Sequence, residues 1–80
     1  MEKVLKVIPQ DDYSLLIDFD TGECKRFDVK PYLEKGIFKQ LQDISKFKQA
    51  YVDYDTVVWP GEIDIARETL YDLSVVEHNR

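Results

Sequence analysis

The feature that most narrows what this chain can fold into is an alternating run broken by a single glycine turn. It reads "YSLLIDF" (Tyr13–Phe19), "DTG" (Asp20–Gly22) and "ECKRFDV" (Glu23–Val29). Suppose the loop is Asp20-Thr21-Gly22, a type I turn with Gly22 left-handed in a bulge. Phe19 then faces Glu23, Ile17 faces Lys25, Leu15 faces Phe27 and Tyr13 faces Val29. Tyr13, Leu15, Ile17, Phe27 and Val29 form one apolar patch, while the other face pairs Asp18 with Cys24, Leu16 with Arg26 and Ser14 with Asp28. A two-residue loop would set Asp20 against Glu23 and Phe27 against Leu16. Like charges directly opposed destabilise a ladder, and the apolar face breaks up. The three-residue loop is therefore predicted.

The chain has 80 residues, 44% of them apolar, with five Tyr, four Phe and one Trp. That content supports one small core and excludes a disordered chain. A chain this short buries only about 60% of its unfolded surface, which leaves little room for a deep substrate cavity. The lone Cys24 excludes an internal disulfide and fits a reducing, cytoplasmic setting. The N-terminal "MEKVLKVIPQ" lacks the apolar run of a signal peptide or membrane span.

The net charge of −5 is unevenly spread: −3 over residues 1–22, +3 over 23–50 and −5 over 51–80. An acidic chain repels nucleic acid, whose phosphates supply most of the binding affinity, so direct nucleic-acid binding is not expected. The basic middle (Lys25, Arg26, Lys30, Lys35, Lys39, Lys46, Lys48) is the counterweight and reads as neutralising the acidic ends.

Elsewhere, "VLKVI" (Val4–Ile8), ended by Pro9 and a "PQDD" turn, completes a three-stranded meander. In the centre, Pro31 suits the first position of a short helix and Gly36 its exit. Phe38 or Ile37 with Leu41 indicates a second helical turn, and Leu33, Phe38, Leu41 and Phe47 read as plugs for one end of the core. A second hairpin follows in "KQAYVDYDTVVW". With Tyr54-Asp55 as its loop, Val52 pairs with Val57, Ala50 lies opposite Trp59, and Tyr51 and Val58 share the other face. In "DIARETLYDL", Ala66, Leu70 and Leu73 fall on one helical face with Asp64 as N-cap. The predicted fold is α+β: a small antiparallel sheet of about five strands, a meander plus a second hairpin, with short helices. Residues 1–80 read as a single domain with its core over about 4–73 and a loosely held tail at 74–80.

The candidate chemistry is thin. Acids recur at two-residue spacing as Asp53/Asp55 and Glu62/Asp64, and carboxylates on one side of an extended chain can hold Mg²⁺ or Ca²⁺. No calcium-loop glycine pattern or His completes such a site, and solvated turn acids are the simpler reading. His78 lies near the chain end without a fixed partner. Cys24 stands beside Asp18, which disfavours a thiolate. Ser14, Ser45 and Ser74 sit in no nucleophile elbow. No catalytic residue and no cofactor are expected. Trp59 reads as a core keystone opposite Ala50, and Tyr51 and Tyr54 are candidates for contact with a partner. A five-stranded sheet also leaves edges open to pairing with another chain.

The order of these motifs resembles a family of small bacterial domains catalogued as a domain of unknown function. The resemblance rests on the "D-x-G-E" hairpin, "FDVKPYLEKGIF", Leu41–Asp43, Phe47, Val52–Asp53 and above all "W-P-x-x-x-D-I-x-x-E-x-L-Y" from Trp59 to Tyr71. It covers roughly residues 4–72. Members usually carry Asn-Gly where this chain has Gly61-Glu62, and often Pro where it has Arg67. The resemblance implies an α+β domain with a mainly antiparallel sheet. It also implies occurrence alone or joined to a helix-turn-helix segment, near other small domains in toxin–antitoxin-like pairs. It carries no catalytic residues.

The expected function is a non-enzymatic protein-interaction module, an accessory or antitoxin-like partner of another small bacterial protein or of a second copy through a sheet edge. Tyr51, Tyr54, Asp53, Asp55 and Glu62 are the expected contact residues. Trp59, Gly22, Gly36, Asp64, Phe27 and Leu70 are expected to hold the fold. The alternative is a metal-dependent hydrolase or ligand binder using Asp53, Asp55, Glu62 and Asp64, and a third is a nucleic-acid-associated protein.

Overall fold

The computed structural model describes residues 2–77. The alternating run forms the hairpin of β2 (Ser14–Phe19) and β3 (Cys24–Asp28) in the predicted register, with Leu15 opposite Phe27, Ile17 opposite Lys25 and Asp18 opposite Cys24. The Phe19 amide donates to the Glu23 carbonyl at 2.9 Å, which closes the three-residue loop, and Gly22 takes φ +91°. Leu15, Ile17, Phe27 and Val29 are 0–2% exposed. On the far side of β2 lies β1 (Val4–Pro9). Its register shifts between Val4 and Lys6, a bulge that leaves Leu5 exposed.

The strands form two sheets rather than the one five-stranded sheet expected. The larger has the order β1-β2-β3-β7 and the smaller the order β4-β5-β6, with β4 Tyr51–Asp53, β5 Thr56–Trp59, β6 Ile63–Ile65 and β7 Val75–Val76. Two strands had no expectation at all. "IDI" is only three residues long, and β7 is two residues that pair with Arg26 and Lys25, far back in the chain. The tail is thus not loosely held over residues 74–77: Ser74 is buried and the Glu77 amide donates to the Cys24 carbonyl at 2.9 Å. The sheets are joined where the Val4 amide donates to the Asp55 carbonyl at 3.0 Å.

The second hairpin turns at Tyr54-Asp55, with Val52 opposite Val57. Both turn residues are left-handed (φ 52° and 63°), as a two-residue type I′ turn requires, although neither is Gly or Asn. Alternation along β5 sends Val57 and Trp59 inward, against Ile65 and Ile63 of β6. Trp59 is 1% exposed and its Nε1–H donates to the Phe47 carbonyl at 2.8 Å, so the largest side chain in the core has no orphaned donor. Burying such a side chain contributes about 1.5–3 kcal/mol.

Asp64 is not a helix cap. It lies in β6 opposite Val58, and α2 (Arg67–Leu73) starts with Ala66 at the N-cap position and no side-chain cap bond. Strand pairing fixes Asp64 in extended backbone, too far ahead of the first turn to reach its amides. Arg67 takes the first helical position, where proline is well tolerated. Leu70 is fully buried, whereas Leu73 is 62% exposed and Ala66 is also exposed, so the expected three-residue apolar face contracts to Leu70.

The centre forms two 3₁₀ segments, Lys30–Tyr32 and Gly36–Gln42, then α1 (Ile44–Phe47). Pro31 stands in the first turn as expected. Gly36 does not end that turn but opens the next one, with φ +48°. Asp43 caps α1, its carboxylate accepting from the Ser45 amide at 3.0 Å. Leu41 and Phe47 are buried, Leu33 and Phe38 partly so, and the rings of Tyr32, Phe38, Trp59, Phe47 and Tyr13 follow one another at 5.2–6.5 Å centroid spacing.

Candidate interaction face

The smaller sheet keeps one face in the core and turns the other to solvent. Cross-strand pairing lines up Tyr51, Val58 and Asp64 in one row across that outer face. The left-handed turn carries Tyr54 outward, leaving it 84% exposed, and Tyr51 is 44% exposed. The Pro60-Gly61-Glu62 corner, with Gly61 and Glu62 both at positive φ, brings Glu62 to the same edge. The result is a cleft of about 500 Å³ whose lining includes Tyr51, Asp53, Tyr54, Val58, Glu62 and Asp64. A second hollow of about 260 Å³, lined in part by Gln40, Lys46 and Gln49, lies across the corner, and both hollows touch Trp59 and Gly61.

Four of the five expected contact residues, Tyr51, Tyr54, Asp53 and Glu62, therefore meet in one place, and Asp64 joins them. Asp55 does not. Two-residue spacing places carboxylates together only in extended backbone, and Asp55 sits at φ 63° with its carboxylate on Arg67 at 3.1 Å. The four acids do not form a metal cluster: among the described residues, no three His, Cys, Asp or Glu come together as a metal-holding group. Asp53 accepts the Tyr54 amide at 3.0 Å, and no ion pair involves Asp53, Glu62 or Asp64 among the described residues.

The remaining charges are mostly engaged within the fold. Arg26 bonds Glu77 at 2.9 Å and the Ser14 hydroxyl at 2.8 Å, with Asp12 at 3.9 Å. Lys30 pairs with Asp28, and Lys48 with Asp11. Buried Lys25 donates to the Tyr71 carbonyl at 2.5 Å and lies 3.8 Å from that ring's centroid. Lys35 lies 5.6 Å from the centroid of the Tyr32 ring, so five of the seven basic residues of the middle segment have intramolecular partners, and the basic run does not fold into one free patch. Ser14 and Ser45 bond Asp12 and Asp43, holding both carboxyls below their ordinary range. Ser74 donates to the Tyr71 carbonyl at 3.3 Å. Cys24 is buried opposite Asp18, as the register required, and His78 lies outside the described residues.

Sequence reasoning set Val58 on one face with Tyr51, as observed, but did not name it as a site residue, and it missed the pairing of Tyr71 with Glu23. Val58, 8% exposed, floors the cleft. The alternation Ile63-Asp64-Ile65 was the signal that places Asp64 beside it. The Tyr71 hydroxyl donates to Glu23 at 2.5 Å, which pushes the phenol up to about 12 and holds the Glu23 carboxyl below its ordinary range. No local pattern announces that pair.

Fold and cleft together define a small antiparallel domain with short helices and an acidic, tyrosine-flanked outer face. A family model described as "Protein of unknown function (DUF2442)" matches residues 4–75, and the chain belongs to that family. No curated protein and no solved structure matches it significantly. Among the described residues, no helix is long and apolar enough to cross a membrane.

Proposed function

We propose that this chain is a non-enzymatic, cytoplasmic protein-interaction module whose working surface is the outer face of the smaller sheet. The carrying observation is the concentration of charge: Asp53, Glu62 and Asp64 line one cleft beside Tyr51 and Tyr54, and among the described residues none of the three carboxylates is in an ion pair. Uncompensated like charge next to exposed tyrosines favours a basic partner, steering its approach electrostatically and giving it aromatic anchors. An accessory or antitoxin-like role beside another small bacterial protein fits such a surface.

The test is a nuclease-treated affinity capture of the tagged protein at native expression, with and without Asp53→Lys, Glu62→Lys and Asp64→Lys. One stoichiometric basic partner, lost from the reversed variant, supports the reading. A partner retained by that variant overturns it.

A further inference from the structure

The partner's chemistry can be narrowed, and this step rests on the interaction reading above. The cleft is more specific than an acidic patch. Val58 forms its floor, and the pairing of β4, β5 and β6 places Tyr51 on one side of Val58 and Asp64 on the other. Neighbouring strands lie about 4.8 Å apart, so an aromatic wall and a carboxylate wall face each other about 10 Å apart across an apolar floor. Tyr54 extends the first wall, while Asp53 and Glu62 add charge.

Each class of occupant meets this lining differently. Phosphates and acidic peptides are repelled. An apolar side chain would desolvate carboxylates and give nothing in return. A bare divalent cation finds no three-ligand group among the described residues. A lysine supplies a strongly hydrated point charge with no plane to stack. Arginine alone matches all three surfaces: methylenes over Val58, a guanidinium plane against tyrosine, and a fork of donors to a carboxylate. The geometry points to a partner chain that binds by seating an arginine side chain in this cleft, between Tyr51 and Asp64 and over Val58.

Amide-resolved NMR titration of the full chain tests this, using three acetylated, amidated pentapeptides, Gly-Ser-X-Ser-Gly, where X is arginine, lysine or citrulline. Citrulline keeps the shape of arginine and removes its charge. Saturable shifts at Tyr51, Val58 and Asp64 are expected with arginine, with citrulline at least about tenfold weaker, as expected for loss of charge-assisted hydrogen bonds. Tyr51→Ala should weaken the arginine peptide about two- to fivefold, and Tyr51→Phe, which keeps the ring, should not. Glu62→Gln with Asp64→Asn, surface changes that leave the folded amide spectrum intact, should weaken it at least about tenfold.

Equal response to citrulline, tighter binding of lysine, or shifts confined to another face would each overturn the assignment, as would no saturable response. The failures separate. If charge reversal still abolishes partner capture while the arginine peptide does nothing, the interaction face stands and the arginine falls. If capture survives the reversal, the face itself falls.

Discussion

The two sheets use their polar side chains in opposite ways. On the larger sheet, Arg26, Glu77, Ser14 and Asp12 are tied together on one face, and Lys25, Tyr71 and Glu23 bind α2 against it. On the smaller sheet the outer carboxylates face a cleft with no cation among the described residues, and the sheet is held from its buried side by Trp59, Val57, Ile63 and Ile65. One sheet ties polar side chains together across its outer face. The other keeps its polar side-chain bonds at the buried side and the hairpin turn (Thr56 to Ile65, Trp59 to Phe47, Asp55 to Arg67) and leaves its outer carboxylates without ion pairs among the described residues. Charge available to something outside the molecule therefore lies on the outer face of the smaller sheet.

The largest effect is expected on the core side of the smaller sheet. Trp59→Ala removes the largest buried side chain and its indole hydrogen bond to the Phe47 carbonyl. The expected cost is about 3–5 kcal/mol, which equals the whole stability of a domain this size. Far-ultraviolet circular dichroism at 25 °C should show an unfolded chain.

The turns give the next effect. Gly22 has φ +91°, and no atom lies within 4 Å of where a Cβ would stand, so Gly22→Ala costs backbone strain alone, about 1 kcal/mol in urea unfolding. In the smaller sheet the opposite change helps. Tyr54→Asn relieves a left-handed tyrosine and should stabilise by about 0.5–1 kcal/mol while removing an aromatic from the cleft.

Charge removal tests the contrast directly. Glu77→Gln takes away a partly exposed partner of Arg26 and should lower the melting midpoint, by less than about 1 kcal/mol in stability. Glu62→Gln with Asp64→Asn should leave it unchanged or raise it, within about 0.5 kcal/mol. Equal losses from both would erase the distinction between the sheets. The smallest effect is in pH. The Tyr71 phenol, raised from 10.0 to about 12, contributes stability that is fully present below pH 10 and lost as pH rises through about 12. Glu23, with its pKa lowered, contributes stability present above the ordinary carboxylate range and lost as pH falls through its depressed value. Tyrosine absorbance should show one late-ionising phenol that Tyr71→Phe abolishes.

What could be read from the sequence follows the range of the forces involved. The β2–β3 register was legible because alternation, one glycine and like-charge avoidance all act within seventeen residues, Tyr13 to Val29. The Tyr54-Asp55 loop was legible because only that turn aligns Val52 with Val57. The cleft was half legible: Tyr51, Tyr54, Asp53 and Glu62 were expected at the surface, but Asp64 was assigned to a helix cap. Its strand is set by Val58, a partner across a corner that composition does not reveal. The division into two sheets and the pairing of β7 depend on contacts between distant segments, where local pattern is silent.

The bond from Val4 to Asp55 has a consequence in time rather than in energy. Each hairpin can form alone in about 1–10 μs. Joining the first strand to the second hairpin instead closes a loop of about fifty residues, as does laying Val75 beside Arg26. Closing such a loop in a flexible chain carries an entropic cost of about 3–4 kcal/mol. Two fast local events must therefore wait on two slow encounters between remote stretches of chain. A domain of this size should fold at the pace of those encounters, in milliseconds or longer.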